Sequence, residues 1–489
     1  MKNFGLKDPA LLRSEAYIGG WCGAMNNKIY QVTNPATTEV VTEVPDMDGS
    51  DATKAVELAA ETFRKWRKYT VDERSRILRH WAHLIRENRE DIGRILTMEQ
   101  GKTLSESIGE VVYSASYLDW FAEEAARPMG RIMPAHTREQ RIMVTHEPLG
   151  VGATITPWNF PSLMVLREVA PALASGCTVV LKPSGYTPLT PLAFVELAER
   201  AGLPPGVLSV IMGARGSGSS MGKVFTSNLN VRKISFTGST ETGIILAREA
   251  TTTVTRMSLE LGGNAPFIVF EDADMEAALD GLIASKYRNA GQTCVTTNRV
   301  YVQDSIYEEF VDKFVKRVEQ IRVGNGLEEG VQMGPMISID AVKEVERHIQ
   351  DAVGKGARLL TGGKRHELGL SFFEPTVLSE VTPEMLPCQC EIFGPLAPIS
   401  RFHTEEEAIT LANNTIHGLA AYFYSKGRER CWRVAESLQA GIVCENTVSF
   451  SSARAPFGGY KQSGMGRDGG YEGLLEWQEV KYRCIGGIN

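Results

Sequence analysis

Long apolar runs, a signal segment and an excess of basic residues are all missing from this sequence. No stretch of its 489 residues approaches the roughly 20 consecutive apolar residues of a membrane span. Residues 1–20 have no apolar core followed by a small-residue cleavage site, so we expect a cytoplasmic protein. The formal net charge of -7 argues against a nucleic-acid or anionic-membrane partner. Small molecules are therefore the expected partners.

Cysteine is also scarce, because eight residues spread over the chain do not form a disulfide scaffold. Only Cys388 and Cys390 are close in sequence, and with no histidine near them we predict no metal site. Cys294 stands alone in the stretch RNAGQTCVTTNR, residues 288–299. A free cysteine is more often a small buried apolar side chain than a nucleophile. The rest of the chain has to decide between these two interpretations.

What the chain does contain is a regular alternation of strand and helix patterns. Helical periodicity fills residues 51–127, where Thr70 and Glu73 form a capping box. From residue 149, β-rich runs such as GVGATIT, CTVVLKP and VRKISFTG alternate with helical segments, and a second such block follows from about residue 260. Alternation of this kind is typical of parallel sheets covered by helices on both faces. The sequence therefore predicts an α/β protein with two α/β domains.

Two further segments have the pattern of exposed strands. They are QRIMVTHEP, which ends at residue 148, and the C-terminal WQEVKYRCIGGIN. Exposed strand edges commonly pair with another subunit. We therefore expect an oligomer, either a homodimer or a homotetramer.

Turns marked by glycine or proline follow several predicted strands, at the edge where an open α/β sheet binds its ligand. They are ITPWNFP (155–161), LKPSGYTP (181–188) and SFTGSTETG (235–243). In the third, Gly238 and Ser239 open a helix whose free N–H groups could hold a phosphate. Each turn alone could be only a strand-to-helix connection. The glycine-rich GARGSGSSMG (213–222) fails the dinucleotide pattern at Met221.

The segment LELGGNAPF, residues 259–267, places Glu260 beside two glycines, which would let other groups approach its carboxylate closely. Cys294 follows later in the chain. A carboxylate and a thiol in different loops of one cleft suit covalent catalysis, in which the thiolate attacks and the carboxylate activates a water. Glu260 could instead be one half of a salt bridge.

Seven motifs in order resemble those of the aldehyde dehydrogenase superfamily: PWNFP, KPSGYTP, FTGSTETG, LELGGNAP, GQTC, EIFGP and PFGGYKQSG. They cover roughly residues 20–489 and favour the nucleophile interpretation of Cys294. The resemblance implies two doubly wound α/β domains, a Rossmann-like cofactor domain and a catalytic domain, with a small β oligomerisation arm. The predicted ranges are 1–127, 149–258 and 440–469 for the cofactor domain, 259–439 for the catalytic domain, and 128–148 and 470–489 for the arm.

In enzymes of this family a thiolate adds to the aldehyde carbon, hydride passes to a nicotinamide ring, and a thioester remains. The resemblance implies that Cys294 supplies this thiolate. It also implies that the Asn159 amide and the Cys294 backbone N–H donate hydrogen bonds to the oxyanion. Glu260 matches the general base that draws a proton from the hydrolytic water. The expected product is therefore a free acid rather than an acyl-CoA. Without the family match, Asn159 could be only a turn residue.

The resemblance implies NAD or NADP as cofactor. Lys182 matches the residue that bonds the adenosine ribose, and Glu391 and Phe393 match contacts of the nicotinamide ribose and ring; otherwise these two could be a helix-start carboxylate and a core aromatic. Strictly NAD-dependent relatives commonly carry glutamate where this chain has Gly185. NADP is therefore slightly favoured, with Lys182 and Ser184 available to its extra phosphate. The other expected cofactor contacts are Thr156, Trp158, Gly218, Gly238, Ser239 and Leu261.

Within the superfamily the chain most resembles succinate-semialdehyde dehydrogenases, which hold the far carboxylate of the substrate with two arginines and a serine. Arg167, Arg288 and Ser451 match these residues. Two guanidinium groups in one small cleft repel each other unless an anion lies between them, so we predict a carboxylated aldehyde, with succinate semialdehyde first. Each arginine could instead pair with a nearby acid, such as Glu168 beside Arg167.

Several alternatives remain open at this point. Glutarate semialdehyde is one methylene longer than succinate semialdehyde, and one methylene gives only ~1–3 kcal/mol of discrimination. The substrate could also be an uncharged aliphatic or aromatic aldehyde. A thiol hydrolase without cofactor and a non-enzymatic structural member of the fold are the more distant alternatives.

Overall fold

The computed structural model describes residues 4–128 and 130–488. Residues 1–3, 129 and 489 of the predicted domain ranges therefore lie outside the described residues. None of the helices in the described part of the chain is both long and apolar enough to cross a bilayer.

The first sheet has eight strands, and its five central strands are parallel. These central strands are buried almost throughout, as the continuous apolar runs in their sequences predict. Antiparallel strands close both edges of the sheet. In spatial order the strands are Trp21–Cys22, Ala16–Tyr17, Leu208–Val210, Thr178–Lys182, Val151–Ile155, Val231–Thr237, Arg256–Glu260 and Gly464–Met465.

Helices cover this sheet, and the predicted helical region 51–127 forms the first four of them. The capping box predicted at Thr70 and Glu73 is confirmed, because each side chain accepts a hydrogen bond from the backbone of the other residue. The helices are Gly49–Trp66, Val71–Glu87, Arg89–Gln100, Leu104–Glu124, Leu163–Ser175, Leu189–Arg200, Gly218–Ser227 and Thr240–Ala250. A two-stranded sheet, Ile29–Thr33 with Val40–Pro45, precedes the first helix.

The second sheet has seven strands, all parallel except for one edge strand. Its core is separate from that of the first sheet, which agrees with two α/β units. In spatial order the strands are Arg358–Thr361, Thr376–Ser379, Leu396–Phe402, Thr297–Gln303, Ala265–Val269, Ala420–Tyr424 and Ile442–Glu445. The helices of this unit are Met275–Tyr287, Tyr307–Val318, Ile339–Gly354, Leu386–Gln389, Glu405–Asn413 and Arg428–Ser437.

One segment lies differently from the predicted division. The predicted cofactor-domain range 440–469 contains the strand Ile442–Glu445, which belongs instead to the second sheet. The reason is local connectivity: the strand follows Ala420–Tyr424 through the helix Arg428–Ser437, and such a crossover returns to the same sheet as a parallel neighbour. Only Gly464–Met465 of this range joins the first sheet.

A third, antiparallel sheet contains both of the predicted exposed strands. Gln478–Ile485 pairs with Arg141–Pro148, which in turn pairs with Arg131–Met133. The side chains of Ile132 and Tyr482 are 78% and 62% exposed on this sheet. The remaining short elements are the paired strands His417–Gly418 and Tyr460–Lys461, the helix Gly470–Leu475, and the 3-10 turns Pro9–Leu11, Arg288–Gly291 and Asp304–Ile306.

Candidate active site

Two adjoining cavities meet at Cys294, which lines both of them. The first has a volume of about 260 Å³, and Arg167, Arg288 and Ser451 form part of its wall. We call it the arginine cavity. The three residues that the resemblance assigns to the far carboxylate of the substrate thus lie together beside the predicted nucleophile. Much of the remaining wall is apolar and includes the ring of Phe457.

The second cavity has a volume of about 270 Å³ and shares Cys294 and Met164 with the first. We call it the carboxylate cavity, because Glu260 and Glu391 line it. Asn159, the predicted oxyanion donor, is also in its wall. The predicted cofactor contacts found in this wall are Trp158, Gly238, Ser239, Leu261, Glu391 and Phe393.

A run of left-handed backbone brings Cys294 to the junction of the cavities. The helix Met275–Tyr287 is followed by three residues with positive φ: 51° at Asn289, 52° at Ala290 and 72° at Gly291. This conformation is costly for any residue that carries a Cβ atom, so the surrounding structure must hold it. Gln292 does so from inside the turn, since its Nε2 donates to the carbonyl of Asn289 at 3.0 Å.

Charged groups in the two cavities change the pKa of the Cys294 thiol in opposite directions. Burial raises the pKa of its thiol to about 12; Arg167 lowers this pKa, and Glu391 and Glu260 raise it. A thiol with such a pKa is protonated near neutral pH and is a weak nucleophile. The residue is nevertheless partly exposed. A cation bound beside the thiol would favour the thiolate.

Glu260 is the last residue of the strand Arg256–Glu260 and is 4% exposed. Burial raises the pKa of its carboxyl well above the ordinary value, the nearby Asp468 raises it further, and Arg167 opposes both. Within the described part of the chain its Oε2 has no hydrogen-bond partner and its side chain forms no ion pair. The salt-bridge alternative therefore does not hold. A buried carboxyl with a raised pKa and a free oxygen can take a proton from water.

The glycines of LELGGNAP have a different role from the one predicted. A Cβ atom added at Gly262 would lie 2.8 Å from Oε2 of Glu391, and one added at Gly263 would lie 2.2 Å from the carbonyl oxygen of Cys294. These glycines therefore admit the second carboxylate and the nucleophile loop, rather than groups approaching Glu260. The residue that approaches the Glu260 carboxylate is Gly458, where a Cβ atom would lie 2.9 Å from Oε1.

The side chain of Asn159 is hydrogen-bonded to the loop that contains Cys294. Its Nδ2 donates to the carbonyl of Gln292 at 3.1 Å, which uses one of the two amide hydrogens and leaves the other for a ligand. The residue is 3% exposed, so it is not a solvent-facing turn residue. The carboxylate cavity thus contains a fixed N–H donor next to the thiol, as an oxyanion site requires.

Glu391 and Phe393 also line the carboxylate cavity. Oε1 of Glu391 accepts a hydrogen bond from the Gly263 N–H at 3.0 Å, and burial raises the pKa of this carboxyl to about 7. Phe393 has a φ of 50°, and its ring packs edge-to-face against Trp158 with the centroids 5.6 Å apart. Neither residue is a helix-start carboxylate or a core aromatic. Ser239 caps the helix Thr240–Ala250, as predicted.

The remaining predicted cofactor residues form a second group around Lys182. Thr156 donates its backbone N–H to the Lys182 carbonyl at 3.2 Å. A Cβ atom added at Gly218 would lie 3.0 Å from Cε of Lys182, so the lysine side chain packs against the start of the helix Gly218–Ser227. Burial lowers the pKa of Lys182 to about 8, and a bound anion would offset this cost. Ser184, two residues further on, accepts a hydrogen bond from the Tyr186 N–H.

Gly185 is required by a close approach of two backbone segments. A Cβ atom at this position would lie only 2.5 Å from the carbonyl oxygen of Gly213. Glutamate could replace Gly185 only if the segment that begins at Gly213 moved. The absence of a carboxylate here is therefore part of the local packing.

Several buried polar atoms near the carboxylate cavity and the Lys182 group have no partner among the described residues. They are Thr156 Oγ1, Asn159 Oδ1, Thr240 Oγ1 and Glu260 Oε2. Buried polar atoms are normally hydrogen-bonded, so this pattern indicates a site made for a polar ligand. The donors and acceptors present here fit the polar groups of a nicotinamide dinucleotide.

Arg167 is neutralised by an acid that sequence analysis did not identify. Its Nε lies 3.1 Å from Oδ2 of Asp468, and the two side chains are 2% and 7% exposed. Glu168, the proposed partner, instead accepts hydrogen bonds from the hydroxyls of Ser235 and Thr237. The guanidinium also stacks over the ring of Phe457 at 4.2 Å. The prediction that two unpaired arginines repel each other in this cavity is therefore wrong, because Asp468 balances the charge of Arg167.

Arg288 is the unpaired cation of the arginine cavity. It is exposed, and its guanidinium lies 5.2 Å from the ring centroid of Phe160. No ion pair or hydrogen bond of its side chain occurs within residues 4–128 and 130–488. Ser451 is likewise exposed in the cavity wall. These two side chains are free to bind an anionic group.

Comparisons with known proteins agree with this geometry. Residues 21–482 match the model of the aldehyde dehydrogenase family. The chain is 51% identical to a 3-sulfolactaldehyde dehydrogenase of Pseudomonas putida over 99% of both chains. It is 51% identical to a glutarate-semialdehyde dehydrogenase of Pseudomonas aeruginosa, over 99% of this chain and 100% of the other. It is 48% identical to an Escherichia coli succinate-semialdehyde dehydrogenase whose name specifies NADP(+), over 98% of this chain and 99% of the other.

A solved structure is similar over the whole fold. The succinate-semialdehyde dehydrogenase of Burkholderia pseudomallei superposes with a TM-score of 0.96 at 51% identity, covering 98% of this chain and 99% of that one. The α/β architecture and the family predicted from the seven motifs are confirmed. This chain belongs to the aldehyde dehydrogenase family.

Proposed function

We propose that the protein oxidises an aldehyde with a distal anionic group to the corresponding acid, with NADP or NAD as hydride acceptor. The observation that carries the proposal is the position of Cys294 between a cavity with a free arginine and a cavity with buried carboxylates. A thiol at such a junction can attack a carbonyl that enters from one side, next to a cofactor that enters from the other.

The chemistry assigned to the side chains begins with the thiolate of Cys294. Its sulfur bonds to the aldehyde carbon, and the carbonyl oxygen becomes an oxyanion held by the free amide hydrogen of Asn159 and the Cys294 backbone N–H. When bound, the dinucleotide supplies the acceptor for the hydride. The thioester that remains on Cys294 is then attacked by a water whose proton passes to Glu260, and the carbon–sulfur bond breaks to release the acid.

An anionic tail on the aldehyde is supported by Arg288 and Ser451. Charge-assisted hydrogen bonds from a guanidinium are strong and directional, and Arg288 has no competing acid within the described residues. The relatives are named for succinate semialdehyde, glutarate semialdehyde and 3-sulfolactaldehyde, which all carry an acid group away from the aldehyde. We propose succinate semialdehyde as the first substrate and glutarate semialdehyde as the second.

NADP is the slightly favoured cofactor. Strictly NAD-dependent members of the family commonly hold the ribose hydroxyls with a glutamate at position 185, and the backbone at Gly213 leaves no room for that side chain. The buried ammonium of Lys182 would regain a favourable environment beside the 2′-phosphate of NADP. The E. coli relative whose name specifies NADP(+) supports the same preference.

We also infer a homodimer or homotetramer, formed through the third sheet. Its edge strand Arg131–Met133 is exposed, with Ile132 facing solvent, and such an edge readily pairs with another chain. Light scattering after size exclusion tests this assembly, and a monomer at micromolar concentration would contradict it. Apart from the strand Ile442–Glu445, which belongs to the second sheet, the division into three domains stays a prediction, and so does a cytoplasmic location.

A spectrophotometric panel tests the proposed activity. NAD+ and NADP+ are each combined with succinate semialdehyde, glutarate semialdehyde and butanal, the uncharged aldehyde of the same carbon number as the first. We expect reduced cofactor with the two acids, a much lower kcat/KM with butanal, and no turnover in Cys294→Ser. Equal kcat/KM for butanal and succinate semialdehyde would reject the anionic substrate. Undiminished cofactor reduction by Cys294→Ser would reject the covalent mechanism.

A further inference from the structure

Lys102 and Glu110 form a fully buried ion pair next to the backbone of Asn159, the predicted oxyanion donor. Nζ of Lys102 is 2.5 Å from Oε2 of Glu110, and the side chains are 0% and 3% exposed. Burying two charges is costly, and such a pair is weak evidence for added stability. The position of this pair must therefore be explained by the other groups to which Lys102 and Glu110 are hydrogen-bonded.

Lys102 holds the backbone of Asn159. Its Nζ donates to the carbonyl oxygen of Asn159 at 2.7 Å and lies 3.7 Å from the ring centroid of Phe160. The same carbonyl accepts a second hydrogen bond from Nδ2 of Asn289 at 3.0 Å. Two buried donors, from Lys102 and Asn289, thus fix the peptide group between Asn159 and Phe160.

Glu110 holds the other end of the same loop. Its Oε1 accepts hydrogen bonds from the backbone N–H groups of Ser162 at 2.9 Å and Leu163 at 3.0 Å. These groups start the helix Leu163–Ser175, whose own N-cap residue makes no side-chain cap. A carboxylate from a neighbouring helix therefore takes the capping role. The ion pair joins this cap to the carbonyl of Asn159.

We propose that Lys102 and Glu110 are positioning residues that fix the Asn159 amide for oxyanion binding. The inference rests on the role of Asn159 in the proposed function and adds what holds that amide in place. An oxyanion donor is effective only when it is preorganised, and a displacement of ~1 Å can cost about a hundredfold in rate. Loss of the pair should therefore lower kcat and leave the binding of substrate and cofactor nearly unchanged.

Glu99 provides a matched control for a purely structural role. It is a buried carboxylate that caps another helix, accepting hydrogen bonds from Leu189 N–H at 2.7 Å and Thr190 N–H at 2.8 Å. Its side chain makes no hydrogen bond to residues 159–163 among the described residues. Glu99→Gln should lower thermal stability as Glu110→Gln does, but should leave kcat at saturating cofactor unchanged.

The conservative replacement Lys102→Arg tests whether a donor at this position is what matters. Arginine keeps the positive charge and the N–H donors that can reach the Glu110 carboxylate and the Asn159 carbonyl. We expect Lys102→Met to lower kcat roughly tenfold to a hundredfold with both KM values within about twofold of wild type. Lys102→Arg should recover most of the lost kcat. Glu110→Gln keeps the cap and weakens the hold on Lys102, so it should give a smaller loss in kcat.

The decisive measurement is a double-mutant cycle on kcat with Asn159→Ala. If Lys102 acts through Asn159, then Lys102→Met should change kcat by less than about twofold once the Asn159 amide is absent. The same factor of loss in both backgrounds would overturn the inference, as would a rise in KM with unchanged kcat. If Lys102→Met does not fold, Glu110→Gln goes through the same cycle. An unchanged rate in Asn159→Ala would remove the proposed role of Asn159 itself, which is a different result from a silent Lys102→Met.

Discussion

The two cavities that meet at Cys294 differ in the sign of their charge. In the carboxylate cavity Glu260 and Glu391 raise the pKa of the thiol, whereas Arg167, in the arginine cavity, lowers it. An oxidised nicotinamide ring is cationic and the proposed aldehydes are anionic. Each ligand therefore complements the cavity proposed for it, and Cys294 is the point where the two charges meet.

The cavities also differ in how rigidly they are built. The carboxylate cavity is made from strand ends and from glycines whose Cβ positions are occupied, as at Gly262 and Gly263. The free polar groups of the arginine cavity are exposed side chains outside the sheets, Arg288 in a 3-10 turn and Ser451 in a loop. Loops tolerate change better than packed strand ends. Relatives at about 50% identity are named for different aldehydes, and we expect such differences to arise on the arginine side.

The largest expected effect is on the carboxylate side, in Glu260→Gln. Glutamine keeps the size of the side chain but cannot take a proton from water, so steady-state turnover should fall by about a hundredfold or more. Acylation of Cys294 does not need this base. A rapid burst of reduced cofactor, close to one per active site, should therefore remain in stopped-flow measurements.

The pH profile provides the control for this variant. Burial raises the pKa of Glu260, and only the ionised carboxylate is a base, so deacylation in the wild type should become faster as the pH rises through that pKa. In Glu260→Gln this dependence should disappear. Full turnover in the variant, or loss of the burst together with turnover, would assign Glu260 another role.

A smaller effect is expected on the arginine side, in Arg288→Ala. A hydrogen bond to a charged group contributes ~1.5–3 kcal/mol, so kcat/KM for succinate semialdehyde should fall roughly tenfold to a hundredfold. The value for butanal should change little, because it has no group for Arg288 to bind. Arg454 is an exposed arginine near Ser451 that is not part of the described cavity wall, and Arg454→Ala is the matched control. Parallel losses for both aldehydes would mean that Arg288 supports the fold of the site instead.

The sequence was most informative where function is carried by short motifs. The motifs that contain Asn159, Glu260, Cys294 and Glu391 predicted residues that the structure brings to one cavity. The partners of these residues gave no such signal. Asp468 neutralises Arg167 from a distant part of the chain, and Lys102 reaches the Asn159 carbonyl from the loop between the helices Arg89–Gln100 and Leu104–Glu124. Contacts of this kind depend on how helices pack, which local periodicity does not specify.

The smallest expected effect is a shift in the reactivity of Cys294 when the carboxylate cavity receives a positive charge. With the thiol pKa raised to about 12, alkylation by iodoacetamide should rise with pH throughout the neutral range. NADP+ should lower this pKa, because its cationic ring favours the thiolate, and each unit of decrease gives about tenfold more thiolate below the pKa. NADPH, whose ring is neutral, is the matched control and should not accelerate alkylation. Equal acceleration by both redox forms would show that the cofactor acts by changing access to the sulfur, and the charge difference between the cavities would then not govern the nucleophile.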